Sequence, residues 1–122
     1  MTPNRRTVRL NQLLREELAT LVRTELKDPR VAPVTVTRVD VTQDLAYADV
    51  YVRTLTGGEA DDAAIDGLES AEGYIRRRLG RELRLHRIPD FRFHLDRALE
   101  HVQRIESLLD EALGSRGDDE SD

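Results

Sequence analysis

Three residues, Ala71-Glu72-Gly73, interrupt what would otherwise be one long helical pattern. A small-X-Gly break between two periodic stretches makes a helix pair that must bend at that point. The stretch after the break, from Tyr74 to Arg87, reads YIRRRLGRELRLHR. Its apolar residues Ile75, Leu79 and Leu83 recur every four positions and form one stripe. At 100° per residue, Arg77, Arg81 and Arg84 fall nearly opposite that stripe. Arg76 and Arg87 flank it, where their stems can cover apolar surface while the guanidinium groups reach water. The expected element is a helix running to Arg87, with a core face, a cationic face and an N-terminus opening at Gly73. Free N–H groups and a partial positive charge at a helix N-terminus suit a phosphate.

The rest of the chain reads as a scaffold for that element. Asn4 or Thr7 can cap a first helix reaching about Lys27. Its stripe is Leu10, Leu14, Leu18 and Leu21, widened by Leu13 and Val22. Asp28-Pro29 ends it, because the residue before proline is pushed out of the α region. Val34 to Thr42 alternates as a half-buried strand, and the slip of phase between Val36 and Val39 predicts a bulge near Arg38. Gln43-Asp44 is a turn, and Leu45 to Leu55 a second strand, so the pair is a β-hairpin. After Thr56-Gly57-Gly58, a second helix starts near Glu59. Its small face, Ala60, Ala64, Leu68 and Ala71, allows close approach to the sheet. Ile88-Pro89-Asp90 stops the arginine helix. Phe91, Phe93 and Leu95 alternate with polar residues in a third strand. Asp96 can cap a last helix to about Leu113, with the stripe Ala98, Val102, Ile105, Leu109 and Ala112. The order α-β-β-α-kink-α-β-α predicts an α+β fold, a three-stranded mixed sheet with helices on one face. One domain over 4–113 is expected, followed by an acidic, disordered tail over 114–122.

Charge is informative only where it is local. The net charge is −5, yet Tyr74 to Arg97 holds eight Arg against three acids, a balance of +5. A segregated positive field steers a polyanion whatever the total. Glu82 is the only acid inside the expected arginine helix, so local pairing should not neutralise it. Aromatic residues make up 4%, and Phe91 and Phe93 read as core. Tyr74, beside the break, is the candidate for base stacking. This scarcity favours recognition of backbone and shape over sequence.

Several functions are not supported by any motif. Cysteine is absent, so disulfides and thiolate metal sites are excluded. His86, His94 and His101 lack metal-ligand spacing, and no metal or other cofactor is expected. No Walker loop, nucleophile elbow or HExxH is present, so no catalytic residue is expected and the chain reads as a non-enzyme. No signal peptide or membrane-spanning run is seen, and a cytoplasmic location is expected. The rival to RNA binding is a non-enzymatic adaptor whose arginine face binds an acidic protein partner.

The ordered set LLREELATLVRTELKDPRV, VTVTRVDVTQDLAYADVYV, SAEGYIRRRLGRELRLHRIPDFRFHLD and RIESLLDEAL resembles the bacterial ribosome-binding factor A family, over about Val8 to Leu113. The resemblance implies a single KH type II-like domain, in which the AxG form at Ala71-Glu72-Gly73 replaces the GxxG loop that clamps nucleotides in ordinary KH domains. It implies a monomer that binds the small (30S) ribosomal subunit and immature 16S rRNA. It further implies a part in late maturation including 5′-end processing, in cold adaptation, and in dealings with assembly GTPases. The RNA-binding residues would be Ala71, Glu72, Gly73 and Tyr74 at the break, with Arg76, Arg77, Arg78, Arg81, Arg84 and Arg87 after it.

Overall fold

The computed structural model describes residues 5–97 and 104–113. Helix α1 (Arg5–Thr24) buries Leu14, Leu18, Leu21 and Val22. Leu10 is half-buried, but Leu13 is 40% exposed, because it stands a full 100° from Leu14 on the helical wheel. Thr7 lies buried inside the first turn and does not cap it, while Asn4 falls outside the described residues. The helix ends three residues before Lys27. The N–H groups of Glu25 and Leu26 both donate to the Leu21 carbonyl, which unwinds the last turn. Asp28 then caps a 3-10 turn, Pro29–Val31: its carboxylate accepts the Arg30 N–H at 2.9 Å and pairs with the Arg30 guanidinium at 2.7 Å.

Strands β1 (Thr35–Val41) and β2 (Tyr47–Arg53) form the expected antiparallel hairpin. The register shifts between Val36 and Arg38, where the broken alternation places a bulge. Leu45, expected to begin the second strand, is instead in the turn with φ 61. The Asp44 carboxylate holds that turn by accepting from the Thr42 hydroxyl and the Ala46 N–H. Helix α2 (Glu59–Ser70) follows a loop in which Gly57 and Gly58 both take positive φ. Asp61, buried in the first turn of α2, accepts from the N–H and hydroxyl of Thr54 and so ties that loop to the helix.

Helix α3 (Glu72–Glu82) leads to β3 (Asp90–Leu95), which pairs parallel to β2. The sheet order is β1-β2-β3. Val36, Val39 and Val41, Ala48, Val50 and Val52, and Phe91 and Phe93 turn to one face and meet Leu14, Leu18, Leu68, Ile75 and Leu79 from the helices. The helices therefore cover one face only, as the sequence requires. The closest approach of α2 is not to the sheet but to the 3-10 turn. A Cβ on Gly67 would stand 2.8 Å from Val31 Cγ1 and 3.2 Å from Arg30 Cβ, so only glycine fits there without a shift.

Residues 104–113 are helical and form α4. Ile105, Leu109 and Ala112 of the expected stripe are exposed, not packed on the domain. Ala98, Val102, Gly114 and the acidic tail lie outside the described residues. Asp96, the expected cap, accepts a hydrogen bond from the Thr37 hydroxyl of β1.

Candidate nucleic-acid interface

The bend lies at Ala71, two positions before Gly73, the expected opening of the arginine helix. Ala71 is at once the C-cap of α2 and the N-cap of α3, with φ −93 and ψ 0. Its N–H closes α2 onto the carbonyls of Gly67 and Leu68, and its carbonyl accepts the Ile75 N–H to open α3. Gly73 is therefore inside the helix with no positive φ, and the break is made by Ala71 without any glycine conformation. Glycine at 73 leaves space instead. Arg77 folds back so that its Nη1 stands 3.6 Å from where a Gly73 Cβ would be. Alanine at the N-cap has no side-chain acceptor, so the first turn of α3 carries bare N–H groups beside that guanidinium.

Around α3 the six arginines divide. Ile75 and Leu79 point inward and are buried. On the flank facing α1, Arg78 donates to Glu25 at 3.0 Å and to Glu82 at 2.9 Å, and the Tyr74 hydroxyl donates to Glu25 at 2.6 Å. The Tyr74 hydrogen bond first, then Arg78, holds the Glu25 carboxyl below its usual range, while Glu25 pushes the Tyr74 phenol up. Tyr74 is thus pinned by its hydroxyl to the turn that ends α1. On the flank facing β3, Arg76 pairs with Asp90 and stands 3.8 Å from Glu72. Local pairing does occur, through Glu25 and Asp90, which are distant in sequence. This corrects the expectation that the arginine helix would go unneutralised: Arg76 and Arg78 are both paired.

Arg77 and Arg81 remain on the outward crest, exposed and without an ion pair among the described residues. Arg84 and Arg87 are also exposed and make none, but they do not share a helix with the crest. The helix ends at Glu82, five residues short of the expected end. Leu83 is the C-cap, Arg84 has φ 52, and the Leu85 N–H donates to the Gly80 carbonyl at 3.2 Å. This is a Schellman-type ending with arginine where glycine is favoured. Nothing in the residue types marked it, because Leu83 and Leu85 hold an apolar rhythm through the turn.

The open face of the sheet carries residues the sequence argument left aside. The Asp49 carboxylate accepts from Arg92 Nε at 2.7 Å and Nη2 at 2.9 Å, and lies 2.8 Å from His94 Nε2. The Arg92 guanidinium covers the Tyr47 ring and Arg38 covers the Tyr51 ring, each 4.1 Å from the centroid. Tyr51 stacks on His94 at 5.2 Å. Arg92 above all holds the Asp49 carboxyl below its usual range, against the opposing effect of burial and with a smaller contribution from His94 in the same direction as Arg92. The sequence signal for this lattice was the alternation of Tyr47, Asp49 and Tyr51 with core residues, but only the parallel register sets Arg92 opposite Asp49. Among the described residues no group of three His, Cys, Asp or Glu side chains could hold a metal ion, and no helix is long and apolar enough to cross a membrane.

The family model for ribosome-binding factor A matches residues 6–109. The chain belongs to the ribosome-binding factor A family. Ribosome-binding factor A of Azoarcus sp. (strain BH72) is similar, at 42% identity over 108 residues that cover 88% of this chain and 86% of that protein. The crystal structure of ribosome-binding factor A from Thermus thermophilus superposes with a TM-score of 0.69 at 29% identity, covering 75% of this chain and 97% of that one. A homology model of the Thermus thermophilus protein, fitted into the cryo-EM map of a 30S–RbfA complex, superposes with a TM-score of 0.60 at 31% identity and covers 71% of this chain and 91% of that one. Family membership and the α+β fold with its three-stranded mixed sheet therefore agree with each other.

Proposed function

We propose that the chain binds the small (30S) ribosomal subunit through immature 16S rRNA and assists its late maturation, including 5′-end processing, without chemistry of its own. The observation that carries this reading is the sorting of arginines on and after α3. Arg76 and Arg78 are spent on Asp90, Glu25 and Glu82, whereas Arg77, Arg81, Arg84 and Arg87 face outward without an ion pair among the described residues. The Arg77 guanidinium beside bare helix N–H groups at Ala71-Glu72-Gly73, with Arg81, Arg84 and Arg87 further along, suits phosphate oxygens, which position a protein on RNA without reading its sequence. The association of a related protein with the 30S particle, and membership in the same family, support the choice of partner.

The same reading takes residues 4–113 as the RNA-binding, KH-like domain and 114–122 as an acidic tail, in a cytoplasmic monomer that serves under cold conditions and works alongside assembly GTPases. Arg76, Arg78 and Tyr74 then orient α3 and do not themselves take RNA. Co-sedimentation tests the proposal. Enrichment on free small subunits over mature 70S particles is expected. Equal occupancy of both would mean a structural component of the ribosome, and preference for an acidic polypeptide over RNA at several salt concentrations would favour an adaptor.

A further inference from the structure

Helix α4 carries an apolar arc that no described residue covers. Ile105, Leu108, Leu109 and Leu113 are 45%, 57%, 54% and 60% exposed. At 100° per residue they share one side, bordered by Glu106 and Asp110. A helix with such a stripe gains stability by laying it on apolar surface.

The domain offers a surface of matching chemistry. Between α1 and the edge strand β1 runs a groove of about 510 Å³. Ala19, Val22, Leu26 and Val36 are part of its apolar lining, and Arg15 and Arg23 stand beside them. Neither arginine has an ion pair among the described residues. The groove takes in Thr35 and Val36 at the start of the β1 edge, while at the far end of the strand Asn11 accepts the Val41 N–H. The rest of that edge is a template for an added strand unless something covers it.

Chain connectivity brings the helix within reach of the groove. Because β3 is parallel to β2, it ends beside the start of β1: Leu95 pairs with Val52, which pairs with Val36. Two strand spacings, about 10 Å, separate β3 from the β1 edge. Asp96, directly after β3, is already drawn toward β1 by the Thr37 hydroxyl. The six residues 98–103 can span up to about 20 Å.

We propose that helix α4 docks in cis into the α1–β1 groove, its leucines on the apolar floor and Glu106 and Asp110 toward Arg15 and Arg23. Docking there covers the start of the β1 edge, at Thr35 and Val36. It leaves the arginine crest open, because α1 stands between the groove and α3, facing one with Ala19 and the other with Leu21.

The absence of cysteine makes a clean test possible. Two double variants of the full chain are oxidised in dilute solution, Ala19→Cys with Leu109→Cys and Ala19→Cys with Ser107→Cys, the latter on the polar side of α4. The first pair is expected to form an intramolecular disulfide at least tenfold faster than the second, in a folded monomer by far-UV circular dichroism. Adding Arg15→Glu and Arg23→Glu is expected to slow the first pair severalfold at low salt. Equal rates for the two pairs overturn the proposal. So does a cross-link found only between molecules, which would give the groove to the helix of a second copy. No RNA enters the experiment, so its outcome is independent of the RNA-binding reading.

Discussion

Two surfaces of this protein carry arginine, and they differ in what the arginines do. On the open face of the sheet, Arg38 and Arg92 are each matched to an aspartate and laid over a tyrosine ring. On the crest of α3, Arg77 and Arg81 have neither among the described residues. Both surfaces are cationic by composition, but only the second has donors left to give. An ion pair and a cation–π contact together hold a guanidinium in one place. A phosphate recruiting Arg92 would have to break both. The contrast shows that pairing, more than the number of arginines, marks a candidate phosphate site.

The sharpest way to break that contrast is to neutralise each set. Replacing Arg77, Arg81 and Arg84 by Gln is expected to weaken binding to small-subunit rRNA and flatten the slope of log K against log salt by about two units, since each lost phosphate contact removes about 0.7–0.9. The loss should be similar for unrelated RNA sequences. Replacing Arg38 and Arg92 by Gln should leave slope and affinity near wild type. A salt titration of both variants decides the matter, and equal losses would mean the sheet face binds RNA too.

Stability should respond in the opposite sense. Asp49→Ala releases Arg92 and His94 and is expected to cost about 1 kcal/mol in urea unfolding, since both side chains remain open to water, with RNA affinity of the folded protein unchanged. Acid should act through the same group. A carboxylate whose folded pKa is depressed adds stability above its unfolded value, near 4, and loses it as pH falls through the folded value. Wild-type stability should therefore fall below about pH 4 more steeply than that of Asp49→Asn.

Arg84 joins the two behaviours in one residue. Its positive φ costs about 1 kcal/mol relative to glycine. Arg84→Gly should raise the melting temperature while weakening RNA binding. A stabilised variant with unchanged affinity would remove Arg84 from the interface. The smallest effect is expected at Gly73. It has ordinary helical geometry, and an added Cβ would meet Arg77 Nη1 at 3.6 Å, an ordinary contact. Gly73→Ala should therefore gain about 0.5–1 kcal/mol from helix propensity. Any loss of affinity beyond that would report RNA backbone approaching over the glycine.

Much of the fold was legible because it rests on local periodicity. The bulge near Arg38, the start of α2 at Glu59 and the alternation of β3 all follow from spacing within a few residues. What was not legible depends on partners far away in the chain. Glu25 reaches Tyr74 and Arg78, some fifty residues on, and Asp90 reaches Arg76 across the end of β3. These contacts separate the structural arginines from the free ones, and no helical wheel contains them. The early end of α3 escaped for a different reason. The turn uses Arg84 where a glycine would have announced it, and Leu83 and Leu85 continue an apolar rhythm beyond the helix.

The parallel pairing of β2 with β3 also orders events in time. The β1–β2 hairpin closes over a five-residue connection between Val41 and Tyr47, whereas Ala48 meets its β3 neighbour Phe91 only after two helices have been laid down between them. Pairings distant in sequence must overcome a larger loop-closure entropy and form more slowly. Because Arg76 is anchored on Asp90, the first residue of β3, the orientation of α3 is completed only when that strand arrives. On the ribosome, a nascent chain that has emerged only as far as Glu82 would already possess the hairpin and the arginines of α3, but not the strand that aims them.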